Sequence, residues 1–319
     1  MPRWKLLRRR ALARQSTSPD ASLARPTLLA VAAVVAAAAC WGALGITYEL
    51  IGRHIRVEPV TLVTLRASAA ALVLLIAFSR NAALANDLAA LRHPRIALAV
   101  ITMGLVSTAT FYVMLIYAYR EAGVAVATVL LYVAPAIVAI MSWLVYRMPV
   151  PNSHRLALAL AFAGVVGVAG STGGSTTWLG IVLGLLSALT YASYSLLARL
   201  ALDHMSSLAV VTLTIAIGAV ALWPVKLLVD GADLPSLSSI AVIAVVNGIG
   251  TTVAPMMLYT WGLSHLGPSR ASLIATAEPA IAVILAYIVL GERLSWIQIG
   301  GGLAIAAGVI LGSLERKRR

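Results

Sequence analysis

Three ionisable side chains stand inside long apolar stretches of this 319-residue chain: Glu49, Arg66 and Glu278. A charge at the middle of a membrane-length helix costs ~2.5–3.5 kcal/mol. Each therefore needs a partner, a neutral state or an aqueous cavity. Glu278 is the most central, and its helical face also carries Ala271, Ala275, Ala282 and Ala286, small residues that let neighbours approach closely. A carboxyl there can exchange a proton or hold a substrate amine; equally, it can hold the break at Pro279 or pair with Arg66. Arg66 can bind a substrate carboxylate, neutralise Glu278 or Glu49, or fix helix packing. Glu49, near the end of its stretch, reads as an interfacial or gate residue.

Pro135 and Pro279 sit mid-stretch, where proline removes a helical hydrogen bond and bends the chain. The freed carbonyl must find a donor inside a membrane. Breaks in corresponding helices mark a transporter's site and gating elements, a static kink being the alternative. Trp41, Tyr132, Tyr191 and Asn247, with further Tyr, Thr and Ser inside the stretches, suggest a cavity of apolar walls and few polar fixtures. Its rings could stack on an ammonium group, although for any single ring simple packing is the alternative. Trp178, Trp223 and Trp296 lie near stretch ends and read as interfacial anchors.

The elements that would position these residues follow from composition. The chain is 61% hydrophobic and 11% charged, against nearer half and a quarter for soluble domains. That excludes a soluble enzyme, a disordered chain and a disulfide scaffold; the single cysteine, Cys40, cannot form an intramolecular disulfide. Runs of about 20 apolar residues fall at roughly 27–51, 59–79, 96–118, 124–146, 155–171, 178–199, 208–229, 238–262, 270–290 and 296–314. Ten spans with short connections leave no room for a soluble domain.

The net charge of +13 would suit nucleic acid, but its distribution does not. With the N-terminus inside, 18 of the 24 Lys and Arg fall on the cytoplasmic side and 5 on the other, with Arg66 in the membrane. This positive-inside bias puts both termini in the cytoplasm of an inner-membrane protein.

The stretches also repeat. Residues 101–169 align without gaps on 245–313 at a shift of 144, bringing Gly104 onto Gly248, Thr108 onto Thr252, Pro135 onto Pro279 and Gly164 onto Gly308. Upstream a shift of 150 places Trp41 on Tyr191 and Thr64 on Thr214. A five-span unit is odd, so equivalent helices run in opposite directions. The expectation is an all-α membrane protein of ten transmembrane helices in two inverted five-helix repeats. Residues 27–171 form the first repeat and 178–314 the second, with basic cytoplasmic tails at 1–26 and 315–319. Such halves point to alternating access around a central site.

Glu278-Pro279, Leu290-Gly291-Glu292-Arg293-Leu294, Gly300–Gly302 and Gly308 together resemble the hallmark run of the EamA family in the drug/metabolite transporter superfamily. Arg66 after Pro59 and Leu130–Pro135 resemble the equivalent first-half stretches, while Arg147-Met148-Pro149 departs from the family's Gly-Glu-Arg/Lys. The resemblance implies a ten-helix inner-membrane carrier without a bound cofactor, commonly an exporter of amino acids or other small metabolites. No Walker A loop occurs, and the five His form no metal pattern.

The expected function is therefore secondary export of a small, amino-acid-like or amphipathic metabolite, with proton antiport as one mode. A passive facilitator or channel, and a membrane-embedded lipid-handling enzyme, are the alternatives. The expected partners are the small-molecule substrate and the bilayer, not nucleic acid. Stripes such as Gly180, Gly184, Ala188 and Ala192 leave a homodimer open.

Overall fold

Local signals start several of the helices. Pro59, Pro94 and Pro268 occupy first-turn positions, where a missing N–H costs nothing. The side chains of Thr177, Ser206 and Ser236 accept from the backbone N–H of Gly180, Ala209 and Ser239 as N-caps. Between these starts the Ala-, Leu- and Val-rich runs satisfy their own backbone groups, as a bilayer requires.

The computed structural model describes residues 24–52, 54–122, 124–147, 152–169, 177–290 and 295–313. The basic tails lie almost wholly outside them, as do Gly291–Leu294 and the side chain of Glu49. The described residues form helices and turns, with no strand among them. The first half comprises α1 (Ala24–Gly42), α2 (Leu44–Gly52), α3 (Pro59–Ser79), a short α4 (Leu84–Ala90), α5 (Pro94–Ala122), α6 (Val124–Leu131), α7 (Ala134–Tyr146) and α8 (Asn152–Ala169). The second half comprises α9 (Trp178–Leu202), α10 (Ser207–Val229), α11 (Leu237–Leu266), α12 (Pro268–Ala275), α13 (Glu278–Leu290) and α14 (Trp296–Ser313).

Seven stretches among the described residues are long and apolar enough to cross a membrane: α3, α5, α6 through α7, α9, α10, α11 and α12 through α13. A count of ten crossings needs α1 with α2, α8 and α14 as well. Large apolar side chains such as Trp143, Ile288 and Leu303 stay exposed on the outer surface, the face that lipid covers in an all-α membrane protein.

The two halves interlock rather than sit side by side. α1 packs on α11 and α13, and its counterpart α9 packs on α5, α6 and α7. α3 lies against α10, and α8 against α14. The last contact is set by a glycine from each half: a Cβ on Gly164 would lie 2.5 Å from the Gly301 carbonyl oxygen, and one on Gly308 would lie 2.7 Å from that of Ala157. Only glycine allows so close an approach.

Two aspartates tie the halves at their ends. One Asp230 carboxylate oxygen, beyond α10, accepts from the backbone N–H (2.6 Å) and hydroxyl (2.8 Å) of Thr61 at the start of α3. In the reverse sense Asp87, beyond α3, accepts from the N–H (2.8 Å) and hydroxyl (2.7 Å) of Ser206 at the start of α10. Each helix beginning thus receives the anion its exposed amides favour.

Many polar residues inside the helices serve their own backbone. The hydroxyls of Thr64, Ser187 and Thr276 donate to carbonyls three or four residues back.

Candidate transport cavity

The site is built around two interrupted helices. Tyr132 and Val133 break the path from α6 to α7, and Thr276 and Ala277 break the path from α12 to α13. The shift of 144 that superposes the halves carries Tyr132 onto Thr276 and Pro135 onto Pro279. Each proline is buried and lies in the first turn after its break. There it can neither donate to the carbonyl four residues back nor fit its ring past it. The turns close instead with i−3 bonds, Val133 to Leu130 and Ala277 to Ile274.

Glu278 is the first residue of α13, where the helix N-terminus favours negative charge. The backbone there is crowded by α1: a Cβ on Gly42 would come within 3.0 Å of the Glu278 carbonyl oxygen. The carboxyl is hydrogen-bonded to the Tyr132 hydroxyl, so one break supplies the acid and the other its partner.

Beside Glu278 opens a cavity of about 120 Å³. Its walls are aromatic: Trp41, Phe111, Tyr112, Tyr191, Tyr194 and Tyr259. Trp41 and Tyr259 pack with ring centroids 5.5 Å apart, and Phe111 and Tyr191 at 5.6 Å. The polar fixtures are few, chiefly Glu278, Arg66, Ser107 and Thr108. Arg66 is 5% exposed, and its guanidinium carbon stands 4.3 Å from the Tyr112 ring centroid, a cation–π contact. Ser107 bridges α5 to α9 through a 2.6 Å hydrogen bond with Ser193.

Of the residues expected from sequence, Trp41, Arg66, Tyr191 and Glu278 thus line one cavity. Tyr132 reaches that site through its hydroxyl but also lines a separate apolar groove with Pro135, Phe162, Val165 and Thr276. Asn247 lies outside both linings. It is fully buried in α11, its amide donates to Thr47 at 3.5 Å, and its side-chain oxygen has no hydrogen-bond partner among the described residues. Phe111, Leu44, Leu115 and Met256 complete the wall. Sequence reasoning passed them over because an apolar residue facing a cavity looks the same as one facing lipid.

The matches to known proteins agree with this architecture. The model of the EamA-like transporter family matches residues 28–170 and, a second time, residues 178–314. The chain belongs to that family. An uncharacterized transporter of Archaeoglobus fulgidus is 30% identical over 63% of this chain and 71% of its own length. The uncharacterized inner membrane transporter YicL of Salmonella typhimurium is 25% identical over 90% of this chain and 95% of its own. A protein of Streptantibioticus cattleyicolor named "Probable terminal-alkyne amino-acid exporter" is 32% identical over 39% of this chain and 41% of its length. A crystal structure 18% identical in sequence superposes with a TM-score of 0.72 over 88% of this chain and 95% of its own, which shows a shared fold. This EamA-family chain is accordingly a multi-pass membrane transporter.

Proposed function

We propose that the protein is a secondary carrier that exports a small metabolite, an amino acid or related amphipathic compound, across the cytoplasmic membrane by alternating access in exchange for protons. The observation that carries this reading is the single cavity holding Glu278, hydrogen-bonded across the two helix breaks, together with Arg66 and an aromatic wall. An acid that can take up a proton, a cation that can face a carboxylate and rings that can cover an apolar side chain are what a zwitterionic solute needs. The name of the Streptantibioticus relative supports the amino-acid class. The bias of 18 Lys and Arg to one side against 5 to the other supports cytoplasmic termini. Proton binding at Glu278 supplies coupling, and Pro135 and Pro279 supply the flexible joints.

Proteoliposomes loaded with labelled amino acids test this. Saturable counterflow is expected for a carrier, whereas flux linear in solute concentration would show a facilitator instead. In the Glu278→Gln variant, flux driven by a pH gradient should vanish while solute–solute exchange persists. Unaltered pH-driven flux would remove Glu278 from coupling.

A further inference from the structure

One end of the cavity rests on polar contacts. Below its floor two hydrogen bonds cross between α9 and α11: Tyr194 Oη with Thr260 Oγ1, and Ser195 Oγ with Tyr259 Oη, both 2.7 Å. The two tyrosines form the cavity floor, and none of the four residues is more than 6% exposed. One turn beyond, an Arg199 guanidinium nitrogen lies 3.5 Å from the Ser264 carbonyl oxygen. This is the side of Asp87 and Ser206, where the Lys- and Arg-rich connections lie. On the other side the cavity lining continues past Leu115 to Tyr119 and Arg66.

The internal repeat says what stands opposite this floor. A shift of 150 carries Leu44 onto Tyr194 and Gly45 onto Ser195, and a shift of 144 carries Leu115 onto Tyr259 and Ile116 onto Thr260. Every polar member of the crossed pair has an apolar or glycine counterpart. Leu44 and Leu115 both line the cavity.

We infer that the crossed pairs Tyr194–Thr260 and Ser195–Tyr259 are the latch that shuts the Arg199 side. Leu44 and Leu115 meet as a purely apolar seal when the latch opens and the other side closes. The inference builds on the alternating-access reading and adds an asymmetry to it. The latched state carries two hydrogen bonds that the opposite state cannot replace at the equivalent positions, so the empty carrier rests open on the Arg199-distal side.

A thiol reporter tests the bias without any transported solute. In a Cys40→Ala background, Leu115→Cys is labelled with a membrane-impermeant maleimide from the side opposite the tails. Its rate is then compared with that after adding Tyr259→Phe and Thr260→Val, which keep volume and delete both hydrogen bonds. Each bond removed should lower the ratio of latched to unlatched carrier by roughly fivefold, and the labelling rate should fall in step with the latched fraction. An unchanged rate in a variant that elutes as a folded protein overturns the latch, because a merely structural role would lower stability without moving the label. Should the double variant misfold, the single Thr260→Val reads the same way. Proton-coupled flux with unmoved labelling overturns the latch and leaves the carrier standing. Moved labelling in a protein that transports no solute supports the latch and overturns the carrier.

Discussion

At the residue scale, the proposed coupling rests on one acid whose partner comes from the other half. Tyr132→Phe removes the hydroxyl that Glu278 holds and nothing else of size, so the pH midpoint of transport should move while the protein still folds. A midpoint that stays in place would limit Tyr132 to packing. A second residue explains the departure from the family motif. Arg147 stands where the second half has Gly291, and it caps α7 with a φ of 54°, the left-handed conformation that suits glycine. Holding an arginine there costs about 1 kcal/mol. Arg147→Gly should therefore raise the thermal midpoint in detergent, and an unchanged or lower midpoint would refute the strain. Glu278 and Arg66 were legible in the sequence because a charge in an apolar run is conspicuous. The Tyr132 partnership was not, since helical periodicity does not say which side chain crosses a break.

At the scale of elements, the paired prolines were legible for a similar reason, as a residue type that cannot continue a helix. The π-helical segments Met103–Thr110 and Ile243–Val253 were not. They overlap under the shift of 144, yet a change of hydrogen-bond register leaves no mark in composition. The interrupted helices are the parts that the proposed carrier would bend. An interior proline costs a helix ~3 kcal/mol, so Pro279→Ala should favour a continuous α12–α13 and slow solute exchange in proteoliposomes, with unchanged exchange pointing to a static kink. The α8–α14 contact behaves differently, because it has no room to give. Gly164→Ala puts a Cβ 2.5 Å from a backbone oxygen. Overpacking of this kind costs roughly 1–3 kcal/mol, to be read as a lower unfolding temperature with the pH profile of any remaining flux preserved.

At the scale of the whole molecule, the duplication was visible as two fixed shifts, because glycines and prolines keep their spacing while the apolar residues between them drift. Which helix meets which was not visible. A shift equates positions but does not assign neighbours, and α1 could have packed within its own half. The interlock gives the two aspartates equal weight on opposite faces. The structure shows each accepting two hydrogen bonds, and an uncompensated amide left behind costs about 1–3 kcal/mol. Asp87→Ala and Asp230→Ala should each lower stability by a similar amount, measured by thermal unfolding.

That reciprocity also has a consequence for how the protein is made. While the chain is being synthesised, α3 is inserted well before Asp230 exists, so the Thr61 amide and the face that α10 will cover wait without their partners. Expressed alone, residues 1–171 should be cleared by membrane proteases, and supplying residues 172–319 from a second gene should restore both fragments together. Stable accumulation of either fragment by itself would mean that the halves mature independently and dock afterwards.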